Sequence, residues 1–121
     1  MSRSEIEALH ERLLEHHKLL LDATRAEYER ENGPLENAGA FLQLLIHGEA
    51  FAWLQPFTGL LVELDDPKLT PDVVAARAKV LRLLSGETSP FHPRYVDLLT
   101  KLPEAATSHR QTLKMLAALG E

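Results

Sequence analysis

An all-α fold, a single-domain helical bundle of four to five helices, is what this sequence predicts, and three observations predict it. Apolar residues recur at a 3.6-residue spacing through most of the chain, no stretch alternates in β-branched residues as a strand does, and Gly, Pro, Asn and Asp gather at a few punctuation points. The 121 residues fit one domain, 1–121, with no repeat, no low-complexity tract and no linker long enough to divide it.

The first helix is expected from Ser4 to about Glu31. Ser4 and Glu7 have capping-box spacing, and Ile6, Leu9, Leu13, Leu20, Leu21, Thr24 and Tyr28 follow the helical period. Asn32-Gly33-Pro34 ends it, since Asn and Gly tolerate a left-handed cap and proline cannot continue a helix. The second segment, Leu35 to Leu64, is apolar almost all round, as befits a helix in the middle of a bundle. An interruption is expected at His47-Gly48 and a kink at Pro56, with Asp65-Asp66-Pro67 as the closing turn. Thr70-Pro71-Asp72 reads as a helix start, with threonine as the cap, and the helix runs to about Leu84 before Ser85-Gly86. A connector, Glu87 to His92, precedes a short helix opened by Pro93 and ending near Lys101. Leu102-Pro103 then introduces the last helix, which reaches about Leu119.

Composition removes several function classes. There is no cysteine, which excludes disulfides, thiolate metal sites and cysteine nucleophiles. Net charge is −5, and residues 34–66 hold five acidic groups with no Lys or Arg, while residues 67–121 hold eight basic and five acidic groups. That balance argues against a nucleic-acid surface, which needs a dense basic patch. Arg77, Lys79, Arg82 and Arg94 read instead as a solvated face, and the charge asymmetry as complementarity between the two halves of the fold. No apolar run approaches the roughly 20 residues of a membrane span, and the polar N-terminus does not read as a signal peptide. A cytoplasmic protein with no membrane and no nucleic-acid partner is the expectation.

The residues that could carry chemistry are ionisable groups on apolar faces. On a wheel of 100° per residue, His10 and His17 fall near the middle of the sector marked by Ile6, Leu13, Leu20 and Thr24, with His16 towards its edge. In the last helix His109 sits in a stripe of Leu102, Ala105, Ala106, Leu113 and Leu116, and Glu49 interrupts the apolar face of the second segment. His10, His17, Glu49 and His109 are therefore the candidate metal ligands, and with Trp53 the candidate ligand-binding residues. Imidazole and carboxylate are the usual donors for zinc or iron in a cysteine-free protein, and bundle interiors are where such sites form. Trp53 would line a cavity for a small apolar or aromatic ligand if the chain opened at Pro56. The competing reading, which takes precedence, is that each of these groups is separately satisfied by a carbonyl or carboxylate. Spacing favours it. Glu7-Ala8-Leu9-His10 is a lone Glu-x-x-His unit without the second copy that di-iron bundles use, and there is no His-Glu-x-x-His motif. The fourth residue after His10 is Leu14 and after His17 is Leu21, so no His-x-x-x-His or His-x-x-x-carboxylate pair arises there. Neither a Gly-x-Ser-x-Gly elbow nor a phosphate loop nor a dinucleotide fingerprint is present.

The stretch Phe51-Ala52-Trp53-Leu54-Gln55-Pro56-Phe57-Thr58-Gly59-Leu60-Leu61, with Leu9-His10-x-x-Leu13-Leu14 before it, resembles a family of short, uncharacterised bacterial proteins. The resemblance covers about the first half of the chain. It implies an all-helical fold and carries over no activity, cofactor or catalytic residue. The expectation is a non-enzymatic bundle that pairs with itself or another protein, because the second segment has more apolar surface than a bundle of this length covers. A ligand- or metal-binding bundle is the alternative.

Overall fold

The computed structural model describes residues 2–85 and 91–119, and every regular element among them is helical. Among the described residues there are seven helices rather than four or five: α1 (Ser2–Asn32), α2 (Ala38–His47), α3 (Glu49–Ala52), α4 (Gln55–Leu64), α5 (Val73–Ser85), α6 (Phe91–Lys101) and α7 (Pro103–Leu119). The larger number comes mainly from the second segment, which is three helices and not one interrupted rod.

α1, with 31 residues, is about 46 Å long and runs through the fold as its spine. It begins at Ser2, so the capping box expected at Ser4 lies inside the helix. Ile6, Leu9, Leu13, His16, Leu20 and Thr24 are buried, and they occupy a sector about 80° wide. α3, α4, α5 and α7 all pack against α1. Gly33 closes it with φ of 88°, a left-handed conformation that costs glycine nothing, and its N–H returns to the Glu29 carbonyl at 2.8 Å.

α2 is capped by Asn37, whose side chain accepts the Ala40 N–H at 2.8 Å, and so starts at Ala38, three residues later than Leu35. The break at Gly48 falls where glycine predicts it, but for a different reason. Gly48 has φ of −80° and ψ of 137°, which any residue adopts. Its need for glycine is space, since a Cβ would lie 2.7 Å from the Leu44 carbonyl oxygen. The expected kink at Pro56 is replaced by a fresh start. The chain turns at Trp53-Leu54, and Pro56 sits in the first turn of α4, where a missing N–H leaves no bond unmade. The Leu54 carbonyl accepts from Phe57 and Thr58, each at 3.0 Å.

Between α4 and α5 the expected roles shift by two residues. Asp72, not Thr70, caps α5, accepting the Ala75 N–H at 2.8 Å. Thr70 is fully buried and donates its hydroxyl to the Glu63 carbonyl, tying the turn to the end of α4. The stop at Gly86 and most of the connector from Glu87 lie outside the described residues, while Phe91 and His92 already belong to α6. Leu102 joins the last two helices: its N–H bonds to Leu98, and its carbonyl accepts from Ala105 and Ala106. Pro103 opens α7, the position that suits its fixed φ.

The core gathers Leu9, Leu13 and Leu20 of α1 with Phe57 and Leu64 of α4, Val80 of α5, Phe91 and Tyr95 of α6 and Leu116 of α7. The charge asymmetry between the halves produces one ion pair across them among the described residues, Lys79 with Glu63 at 2.6 Å. No described helix is long and apolar enough to cross a membrane.

Candidate functional site

The four residues expected to meet in one interior pocket are held apart, each with its own partner or in solvent. His10 is half-buried, and its Nε2 donates to the Leu61 carbonyl at 3.1 Å. That carbonyl is among the last four of α4, which have no acceptor role inside their own helix, so His10 finishes a helix end. His17 Nε2 donates to Thr58 Oγ1 at 3.1 Å, while the Thr58 hydroxyl is spent on Leu54. Its ring meets Phe57 edge-on, and burial holds its pKa below the usual 6.5. Glu49 is exposed at the start of α3. His109 points elsewhere, to Tyr95. Among the described residues no group of three His, Asp or Glu is placed to hold a metal ion.

A polar cluster that the helical wheel overlooked lies in the core instead. His16 is fully buried between α6 and α7, with Nδ1 2.8 Å from Ser108 Oγ and Nε2 2.6 Å from Tyr95 Oη. Tyr95 Oη continues to His109 Nδ1 at 2.5 Å, and Arg12 Nη2 donates to Ser108 Oγ at 2.8 Å. Arg12 also reaches Gln111 through Nη1. One arrangement of protons satisfies the whole chain. Arginine can only donate, so Ser108 accepts from Arg12, and its own hydrogen is available to His16 Nδ1. In that tautomer His16 carries its proton on Nε2 and donates to Tyr95, whose hydroxyl donates to His109 Nδ1.

The electrostatics of this cluster keep it neutral. Burial, reinforced by the charges of His109, Arg12 and His17, brings His16 down from 6.5 to about 4. Burial also lowers His109, with Arg110 adding to it, and pushes the Tyr95 hydroxyl up. An imidazole this weakly basic is a poor proton acceptor near neutral pH. Its contribution is structural: His16, Ser108 and Tyr95, all buried, and the half-buried His109 satisfy one another across three helices, and they fix how α1, α6 and α7 face each other.

Two of the expected ligand-binding residues do share a place. Trp53 and Glu49 line a cleft of about 640 Å³ between the C-terminal half of α1, α3 and α6. Trp53 is buried, stacked on Phe91 at 5.4 Å, with the Arg94 guanidinium 5.6 Å from its ring centre. The rest of the basic set is engaged as well in part: Arg77 Nε donates to the Leu116 carbonyl and Lys79 pairs with Glu63.

A third feature is a surface. α2 buries none of its ten residues. Phe41, Leu44 and Leu45 lean on the core, whereas Leu42 and Ile46, one turn apart, are 52% and 56% exposed. The other elements expose at most one large apolar side chain each among the described residues.

Comparison of the chain with protein-family models, with characterised proteins and with solved structures returns no match.

Proposed function

We propose that this protein is a non-enzymatic helical bundle that acts by binding, and that its α2 helix docks on α2 of a second copy. The observation that carries the reading is an apolar helix with no buried residue and a ridge of Leu42 and Ile46 turned to solvent. Scattered single apolar side chains are ordinary on a protein surface, but a contiguous ridge on one helix is what an association site presents. A second copy is the fitting occupant because α2, AGAFLQLLIH, carries no Asp, Glu, Lys or Arg. Two such helices face each other across a two-fold axis without the like-charge repulsion that a charged helix meets in its own image.

The strength of association follows from size. Ten residues make a helix about 15 Å long, so the pair belongs with small, reversible interfaces and not with obligate dimers. Sedimentation over a range of concentrations tests it. The wild-type chain is expected to dimerise reversibly, and Leu42→Glu or Ile46→Glu to leave it monomeric with stability unchanged within about 0.5 kcal/mol, as for other exposed sites. A wild-type chain that stays monomeric up to roughly 0.5 mM refutes the reading.

A further inference from the structure

α7 is held in place less by apolar burial than its neighbour α6. Its buried residues are Ala105, Ser108, Thr112 and Leu116, with Met115 and Leu119 only partly covered, whereas α6 buries Phe91, Tyr95 and Leu98. The polar ties of α7 to α1 run from Ser108 to His16 and Arg12, and from Gln111 to Arg12. A cleft of about 380 Å³ follows the same seam, lined by Arg12, Glu15, Thr107, Ser108 and Gln111 among others. Ser108 thus lies between that cleft and the fully buried ring of His16, with its Oγ 2.8 Å from Nδ1.

These ties are complete only while His16 is neutral. An imidazolium donates from both nitrogens, so Ser108 would have to accept from Arg12 and His16 together, and its own hydrogen would lose its acceptor. No counter-charge stands ready either. The ring is surrounded by Arg12 and His17 of α1, Phe57 of α4, Tyr95 of α6, and Ser108 and His109 of α7, with Arg110 beyond them. From α5, Arg77 reaches α7 at the Leu116 carbonyl. Among the described residues no carboxylate bonds to either histidine; Glu15 reaches only Arg12, at 3.4 Å, and is 72% exposed. A buried charge without a partner drives the chain to let water in. We propose that His16 is an acid-operated latch between α1 and α7: when it takes up a proton, α7 lifts from α1 while α1, α4 and α5 stay packed. This is the release of one helix, not the unfolding of the whole chain, and it is independent of the α2 ridge.

Native-state hydrogen exchange of the wild-type chain, over a series of low urea concentrations, separates the two. Amides of α7 from His109 to Leu116 are expected to exchange through an opening with little urea dependence. Amides of α4 from Leu60 to Leu64 should exchange more slowly and with the full urea dependence of global unfolding. With His16 at about 4 when closed and 6.5 when open, the α7 opening, corrected for the intrinsic exchange rate, should rise about twentyfold from pH 7 to pH 5. His16→Gln keeps a donor and an acceptor but does not titrate; it should retain the opening and reduce the pH response to about threefold or less. The proposal is overturned if α7 shares the protection and urea dependence of α4, or if its corrected opening is the same at pH 7 and pH 5. Both outcomes are read on the wild-type chain, so the test stands even where the variant does not fold. A folded His16→Gln protein that responds to pH as the wild type does overturns it as well.

Discussion

Replacing Tyr95 by phenylalanine removes one oxygen from the middle of the buried polar chain and leaves the ring in place. The stack on Phe91, 4.8 Å between ring centres, and the edge contact with His16 at 5.7 Å do not involve that oxygen. Two hydrogen bonds are lost, one to His16 Nε2 and one to His109 Nδ1. Each is worth about 1 kcal/mol net, but the two ends differ. His109 is half-buried and can take a water, whereas His16 is fully buried and its Nε2–H is left with no acceptor. Stranding a buried donor costs about 1–3 kcal/mol, so Tyr95→Phe should destabilise by about 2–3 kcal/mol. Against the 5–15 kcal/mol that holds a domain of this kind together, that is a large fraction. Urea denaturation at pH 7.5 measures it. With m of roughly 1–3 kcal/mol/M, the midpoint should fall by about 1 M or more at unchanged m. A fall below about 0.3 M would mean that His16 finds another acceptor and that the chain of four groups is not what locks α1 to α6 and α7.

The same cluster makes the fold acid-sensitive. His16 has a folded pKa of about 4 against 6.5 unfolded, so between those values the unfolded chain takes up a proton that the native one refuses. Stability is therefore full above pH 6.5 and declines as pH falls towards 4, by about 3 kcal/mol from this group at about 1.4 kcal/mol per pH unit. His17 and His109, also lowered, act in the same direction. Urea midpoints at pH 7.5, 6 and 5 should show the decline, and His16→Gln should flatten it; equal slopes in both proteins would contradict the assignment. Two glycines should respond in opposite ways to alanine, read by thermal melts. Gly48→Ala forces a Cβ against the Leu44 carbonyl oxygen at 2.7 Å and should cost about 1–2 kcal/mol. Gly59→Ala, inside α4 with nothing near the added methyl, should stabilise by about 0.5–1 kcal/mol, and a loss there would refute the open-space reading.

The local rules were legible in the chain itself. Helical periodicity, the Asn32-Gly33-Pro34 stop and the Leu102-Pro103 junction depend on backbone sterics and hydrogen bonding within a few residues, and they place the ends of α1, α6 and α7 to within two residues or so. Pro56 shows the limit of such rules, because proline both kinks a helix and opens one, and only the turn at Trp53-Leu54 decides between them. The orientation of each helix belongs to tertiary structure. The sector read from the sequence, which takes in Ile6, His10, Leu13, His17, Leu20 and Thr24, leaves Leu9 outside its edge. The buried sector includes Leu9 and is turned by about 40°, so His16 is inside while His10 and His17 lie on the flank. In α7 the buried face is likewise turned from the expected stripe, so that Ser108 and Thr112 are inside and Leu113 is exposed. No hydrophobicity scale predicts that, since Thr112 is satisfied by the Ser108 carbonyl one turn back and Ser108 by His16 from another helix. A sequence states which side chains need partners. Which partner each one finds depends on where the neighbouring helices stand, and that is why the helices were readable in order while the His16 cluster and the Trp53 cleft appeared only once they were packed.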